Sequence, residues 1–223
     1  MKVFTIIYST CFKEGPHDKD HGRIGTALVQ RSPLKSSRFT AAIVRENSLD
    51  KRDFKEWVFC PGMLFGSGQK WWGDKGNRGR AHEGLDLLLY RNNDGEVLSL
   101  DEKTAVPAIY DGTVVRVIDD FLGRSIFMKH HAHGNRTFFT AFGHTRPLNG
   151  IEAGSRVKEG DIIATIAGTS DPKINIAPHL HISAGWISAE IDYETLDWET
   201  IGSSKMIRLI DPLKIIGGGP RDN

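Results

Sequence analysis

The chain has 223 residues, of which 39% are hydrophobic and 26% charged, so it is long and apolar enough for one well-buried globular core. Its 29 Lys and Arg residues balance 28 Asp and Glu residues, which gives no electrostatic reason to expect nucleic acid or an anionic membrane surface as a partner. No segment approaches the roughly 20 apolar residues that a membrane-spanning helix needs, so we predict no membrane span.

Residues 1–55 carry no recognisable chemical motif, and we predict that they form an N-terminal accessory region. The apolar run at 3–8 is too short for a secretory signal core and predicts a buried strand instead. Three further elements are predicted in this region: strands at 22–29 and 39–44, and a short helix at 48–57. Two cysteines do not make a disulfide scaffold, so Cys11 and Cys60 are either paired or free and buried.

A glycine-rich stretch follows at 62–79 and contains Trp71 and Trp72. Such a loop turns sharply, and exposed aromatic side chains in loops often line a binding groove. The alternative is a tryptophan pair that plugs the rim of the core. We take Trp71 and Trp72 as candidate substrate-binding residues.

From 85 to 182 nearly every signal is that of a strand. β-Branched and aromatic residues alternate with short turns rich in Gly, Pro, Asn and Asp. The predicted strands are 85–90, 112–118, 125–130, 136–142 and 161–167. Long helical periodicity is absent from this part of the sequence, so we predict an all-β fold, an antiparallel sandwich or barrel.

Two short motifs in this region combine residues that bind metals. In His82-Glu83-Gly84-Leu85-Asp86 the first and last side chains point to one face of an extended chain, and so do His179 and His181 of the HLH sequence. Brought side by side, the two segments supply three ligands for zinc and one histidine left over, with the fourth coordination position open to water. No cysteine lies near either motif, which argues against a purely structural zinc site.

The other histidines give weaker signals. His17 and His21 are typical of a solvated turn, and the run at 129–134 (KHHAHG) predicts a hairpin, with a weak second metal site as the alternative. His144 follows a predicted strand in the sequence Phe142-Gly143-His144-Thr145.

Together these motifs resemble those of the lysostaphin- and LytM-type zinc metallopeptidases, which cut peptide cross-links in bacterial cell walls. The resemblance implies that His82, Asp86 and His181 bind one zinc ion per chain. It also implies that His179, the first histidine of HLH, and His144, which matches the histidine of the family's Tyr-x-His-Leu, are catalytic.

The resemblance covers about 60–216 and includes three further segments: 105–112, 154–168 and the closing Asp211-Pro212-Leu213. It implies an antiparallel β-sandwich or open barrel of the duplicated hybrid motif type, with a groove between loops. The resulting division is an accessory region at 1–55, a peptidase domain at 56–216 and a flexible tail at 217–223.

Three departures from the family pattern bear on the groove. Phe142 stands where the family has tyrosine, and the family's leucine is missing after His144. The approach to HLH, at 169–178, replaces a short glycine- and serine-rich turn, and an insertion at about 188–205 separates HLH from the closing strand.

The function implied is a zinc-dependent endopeptidase that hydrolyses peptidoglycan stem peptides or cross-links. A non-cutting member that only binds peptidoglycan or a partner is the alternative, although none of the five metal and catalytic positions is lost. A lipoyl- or phosphocarrier-type protein is disfavoured because no modifiable lysine sits at a hairpin tip. The family points to a secreted or cell-envelope protein, whereas the sequence has no convincing export signal and leaves the cytoplasm open.

Overall fold

The computed structural model describes residues 4–6, 34–168 and 176–217, and strands dominate this part of the chain. The strands are β1 (Phe4–Ile6), β2 (Phe54–Phe59), β3 (Leu85–Leu87), β4 (Leu89–Asn92), β5 (Val97–Ser99), β6 (Ala105–Pro107), β7 (Gly112–Asp120), β8 (Gly123–His133), β9 (Arg136–Pro147), β10 (Arg156–Val157), β11 (Ile162–Ile166), β12 (Leu180–Ser188) and β13 (Ile207–Ile210). The helices are α1 (Phe39–Glu46), α2 (Trp198–Ser203) and α3 (Leu213–Ile216), with 3-10 turns at Asp50–Arg52, Pro61–Met63 and Tyr193–Thr195. None of the described helices is long and apolar enough to cross a membrane.

The strands form two sheets. The smaller has the order β1-β2-β4-β5, in which β1 and β2 are parallel and the other neighbours antiparallel. The larger has the order β10-β7-β8-β9-β11-β6, and β12 joins it by pairing with β9, β3 and β13. All pairs in the larger sheet are antiparallel, so the predicted all-β, mainly antiparallel class is confirmed.

The central parts of strands β8 and β9 are buried on both faces, and alternate residues pack into two different clusters. Ile126 and Phe142 belong to the main core, whereas Phe127 and Phe139 face a second, smaller cluster. The second cluster is completed by residues that follow β12, namely Ile191, Leu196 and Ile201. The predicted insertion at 188–205 is therefore an ordered layer that covers the outer face of the larger sheet.

Two predictions near the N-terminus are wrong. Residues 39–44 lie in α1, because Phe39, Ala42 and Ile43 recur at helical spacing and turn one buried face to the core. The helix predicted at 48–57 is a single 3-10 turn that ends at Asp53, whose φ of 55° is left-handed, after which the chain extends as β2. The strand predicted at 22–29 lies outside the described residues.

The strand predicted at 85–90 is divided between the two sheets. The chain leaves the larger sheet after β3 and enters the smaller sheet with β4, passing through the buried Leu88. The strand predicted at 3–8 is confirmed over β1, and those predicted between 112 and 167 are confirmed as β7, β8, β9 and β11. Helix α1 shares the main core with the larger sheet, and the domain boundary at residue 55 stays a prediction.

Candidate metal centre

Three buried side chains converge at the end of β12. Antiparallel pairing sets His181 of β12 directly opposite Asp86 of β3, and two backbone hydrogen bonds hold His82, just before β3, against the loop at 66–67. Nε2 of His82 lies 3.2 Å from Nδ1 of His181 and 3.3 Å from Oδ1 of Asp86. Nδ1 of His181 and Oδ1 of Asp86 are 2.9 Å apart.

Hydrogen bonds on the far sides of the two imidazoles fix their tautomers. Nδ1 of His82 lies 3.1 Å from the carbonyl oxygen of Leu64, which can only accept, so this nitrogen carries the proton. The hydroxyl of Ser183 donates to the carbonyl of Glu83, so it accepts from Nε2 of His181 at 3.0 Å. The nitrogens left facing Asp86 carry lone pairs, and three acceptor atoms therefore meet with no proton between them.

This donor set fits a tetrahedral metal ion. Ligands about 2.0–2.1 Å from zinc at tetrahedral angles lie about 3.3–3.4 Å from one another, close to the 2.9–3.3 Å found between these three atoms. A cation at their centre would also remove the repulsion between the lone pairs. Among the described residues, this is the one cluster of three or more His, Cys, Asp or Glu side chains close enough to share a metal.

Asp86 is held from behind by two donors on the glycine-rich loop. The indole Nε1 of Trp71 donates to Oδ2 of Asp86 at 2.6 Å, and Nη2 of Arg78 lies 3.3 Å from the same oxygen. Oδ1 is thus left to face the two imidazoles. Burial alone would raise the pKa of Asp86, whereas charge on His82 and hydrogen bonds from His181 and His82 would hold it well below its usual range if those rings carried protons toward it. With lone pairs facing the carboxylate, the donors of Trp71 and Arg78 are the groups that favour its ionised form.

The two tryptophans of this loop have different surroundings. Trp71 points at Asp86 and packs its edge against His179, with ring centroids 5.0 Å apart, whereas Trp72 lines the open cleft in front of the centre. Trp71 is therefore placed to orient Asp86. A substrate-binding role for either tryptophan stays a prediction.

Gly84 is required by the close approach of β12. A Cβ at this position would lie 2.4 Å from Nε2 of His181 and 2.4 Å from the carbonyl oxygen of Ile182, both fixed by the sheet. We expect Gly84→Ala to lower the free energy of unfolding by about 1–3 kcal/mol and to weaken metal binding, measured by denaturant titration and elemental analysis. Gly79→Ala is the matched control, since nothing lies within 4 Å of its Cβ. Equal stability and metal content in the Gly84→Ala variant and its parent would contradict this account.

His179 lies beside the three acceptors and just ahead of β12. Its Nδ1 donates to the carbonyl of Ala177 at 2.9 Å, and its Nε2 lies 3.8 Å from Oδ1 of Asp86. Burial lowers the pKa of His179 to about 4, so the ring is neutral at neutral pH. A lone pair on Nε2 therefore faces the centre.

His144 occupies a fork in the larger sheet. One edge of β9 has two partners in succession. Up to Gly143 it pairs with β12, and from Thr145 onward it pairs with β11. On the opposite edge, Gly143 and His144 together face only Ser125 of β8, which is a bulge that turns His144 toward the cleft. His144 accordingly has a φ of 61°, a left-handed conformation that is unfavourable for a histidine and typical of functional sites.

Asp120 is the partner of His144 and was not predicted from the sequence. Its Oδ2 lies 3.0 Å from Nδ1 of His144, and its side chain is almost completely buried. Burial would raise the pKa of Asp120, but the contact with His144 holds it below the usual range. The sequence offers no motif for this pair, because it depends on the turn between β7 and β8 folding against the fork.

Four of the five predicted metal and catalytic residues line one cleft of about 230 Å³, and the fifth, His82, contacts two of them, Asp86 and His181. The cleft is lined by Asp86, His144, His179 and His181, by Trp72, and by Ile176 from the approach to HLH. It is also lined by residues that sequence reasoning did not assign individually to the site: Arg78, Glu83, Asp120, Phe121 and Trp198. Phe121 is 58% exposed and lies with its ring centroid 4.7 Å from that of His144. The rest of the approach to HLH, 169–175, lies outside the described residues.

The histidines at 129–134 form the end of a hairpin, as predicted. His130 contacts the carbonyl of Asp111 and the hydroxyl of Thr140 through its two ring nitrogens, at 2.9 and 2.8 Å. His131 and His133 are exposed and pack against Trp186. Within the described residues this hairpin contributes to no cluster of metal ligands. His17, His21 and Cys11 lie outside the described residues.

The chain is similar to several solved structures, and three of them are compared by sequence identity, coverage and TM-score. The lysostaphin catalytic domain from Staphylococcus simulans is 20% identical, with 61% of this chain and 81% of that chain covered and a TM-score of 0.37. A prophage-encoded M23 protein, EnpA, from Enterococcus faecalis is 20% identical, covering 55% and 84%, with a TM-score of 0.35. A zinc-containing peptidase from Vibrio cholerae is 20% identical, covering 52% and 31%, also with a TM-score of 0.35.

Comparison of the sequence with known proteins and families gives a match to a family. No curated protein matches the chain significantly. Residues 91–192 match the model of peptidase family M23, a range that includes His144, His179 and His181 and begins after His82 and Asp86. Those last two residues are brought to the matched region by the pairing of β3 with β12. Over this range, 102 of its 223 residues, the chain is similar to peptidase family M23.

Proposed function

We propose that this protein is a zinc-dependent endopeptidase that cuts peptide bonds in peptidoglycan, and that it works in the cell envelope or outside the cell. The observation that carries the proposal is the meeting of three lone pairs, from His82, Asp86 and His181, beside two further histidines that make no part of the ligand set. A structural metal site would leave no reason for that second pair.

His82, Asp86 and His181 would hold one zinc ion per chain. Bound zinc polarises a substrate carbonyl and lowers the pKa of a coordinated water to about 7. The protein's own contribution is to move a proton and to orient the substrate. His179 presents a neutral Nε2 that can accept a proton, and His144, 4.6 Å away between ring centroids, is held by Asp120 so that it can carry one.

The cleft favours an extended peptide with small side chains near the cleaved bond. Trp72, Phe121 and Trp198 contribute apolar surface to its lining, and Arg78 and Glu83 contribute charges of both signs. Aromatic walls offer flat surfaces to a peptide backbone or to the face of a sugar. These features, with the resemblance to enzymes that cut bacterial cell walls, support peptidoglycan as the substrate.

The substrate proposal is tested with purified, zinc-loaded protein, cell-wall fragments and a pentaglycine peptide. We expect mass spectrometry to find new amine ends in at least one of the two substrates, and none with the His179→Ala variant. Products from pentaglycine would indicate cutting of glycine bridges, and products from wall fragments alone would indicate stem peptides or direct cross-links. A zinc-loaded protein that leaves both substrates intact would reject the endopeptidase and favour a non-cutting binder.

A further inference from the structure

A chain of hydrogen bonds connects the insertion that follows β12 to His144. The indole Nε1 of Trp198, the first residue of α2, donates to Oγ of Ser125 at 3.0 Å. Ser125 is fully buried, and its hydroxyl donates onward to Oδ2 of Asp120 at 2.7 Å. The same oxygen accepts from the backbone N–H of His144 at 3.2 Å. Every donor in the chain points toward the carboxylate.

Asp120 is thereby fixed in one orientation. Its other oxygen, Oδ1, accepts from the backbone N–H of Phe121 at 2.7 Å, so both ends of the carboxylate are held. Nδ1 of His144, 3.0 Å from Oδ2, has the separation of an ion pair without the alignment of a hydrogen bond, and no other described group forms a hydrogen bond with it. An ionised carboxylate can only accept, so this nitrogen carries the proton and Nε2 is left for the cleft.

The residue before His144, Gly143, has to be small because Trp198 packs against it. A Cβ at Gly143 would lie 2.8 Å from Cζ2 of Trp198 and 3.3 Å from Cβ of His181, so only glycine leaves room for the indole. Trp198 also packs edge-on against the ring of His181, with centroids 4.7 Å apart. Gly143 and the insertion, which departs from the family pattern, thus meet at one contact.

We propose that Asp120, Ser125 and Trp198 are positioning residues that hold His144 with its Nδ1 protonated and its Nε2 toward the cleft, which makes the insertion at 188–205 a working part of the active centre. The inference rests on the proposed function in one respect: it assumes that His144 takes part in catalysis. The hydrogen-bonded arrangement itself can be tested without any turnover.

The first test is spectroscopic and uses the full chain as purified, with 15N-labelled histidine. Two-bond couplings between ring nitrogens and ring protons show which nitrogen bears the proton, and loss of one signal set in His144→Gln assigns His144. We expect the Nδ1–H tautomer in the parent, and a shift toward Nε2–H in Asp120→Asn, whose amide can donate to the ring. An Nε2–H tautomer in the parent, or no change in Asp120→Asn, overturns the proposal.

The second test separates positioning from binding. Outer partners of catalytic groups typically contribute about 10–100-fold, so we expect Asp120→Asn to lower kcat by about that factor with KM nearly unchanged. Trp198→Phe keeps the ring but removes the donor, so kcat should fall by a smaller factor, with zinc content retained. Ser203→Ala, which alters an exposed residue of the same helix, should match the parent.

The two tests distinguish the failure of this inference from that of the proposed function. If the parent cuts no peptide, the endopeptidase is rejected, and the tautomer of His144 still decides whether the network exists. If the parent is active and both Asp120→Asn and Trp198→Phe retain its kcat, the network has no positioning role and the inference is overturned.

Discussion

Replacing Asp86 or His181 with alanine is expected to empty the metal centre and abolish cleavage. Each supplies one of three acceptor atoms that lie 2.9–3.3 Å apart, and two remaining ligands rarely hold zinc tightly. Elemental analysis should show zinc falling from about one ion per chain to near zero, and no products should appear with a substrate that the parent cuts.

The controls for this prediction are residues of the same types outside the centre. Asp94→Ala and His133→Ala alter exposed side chains and should retain both zinc and activity. Full zinc occupancy in Asp86→Ala and His181→Ala would reject the ligand assignment. Loss of zinc in His133→Ala would instead place the metal at the hairpin formed by β8 and β9.

Replacing His179 or His144 with alanine is expected to leave zinc in place and remove most of the activity. Neither residue belongs to the ligand cluster, but both face the same cleft. Positioned acid–base groups typically contribute about 10²–10⁴-fold to a rate, so kcat should fall by a factor in that range for each variant. Zinc content, circular dichroism and steady-state kinetics on one substrate give the comparison.

The two histidines can then be judged separately. An His144→Ala variant that cleaves as fast as the parent would take His144 out of the mechanism despite its place at the fork. Loss of zinc from His179→Ala would mean that His179 acts as a ligand, in which case its contact with the Ala177 carbonyl does not set its role.

The meeting of His82, Asp86 and His181 could be predicted from sequence because it follows the short repeat of an extended chain. A spacing of two places His179 and His181 on one face, and the pairing of His181 with Asp86 needs only adjacent antiparallel strands. The same reasoning was wrong for 39–44, where apolar residues of α1 also fit a strand over a few positions. Short apolar runs are ambiguous until the core they pack against is known.

The supporting residues could not be predicted because each depends on a contact between distant segments. Asp120 ends β7 in a pair of acidic residues that reads as an ordinary turn, and Trp198 lies in an insertion with no motif. Trp71 could be identified as a residue of the site, but its hydrogen bond to Asp86 appears only once the glycine-rich loop is folded behind β3. Sequence motifs therefore identify candidate metal-binding and catalytic residues more readily than the residues that orient them.

The contact between Gly143 and Trp198 has a consequence for how this protein can vary. The two residues behave as one unit of sequence change, although they lie on β9 and α2. A larger side chain at 143 is tolerated only together with a smaller one at 198, and a loop exchanged from a relative without the tryptophan would leave a gap over His181. Transplanting this insertion into a protein with a similar sheet would therefore require a glycine at the receiving position. A library that varied the two sites independently would lose most of its folded members.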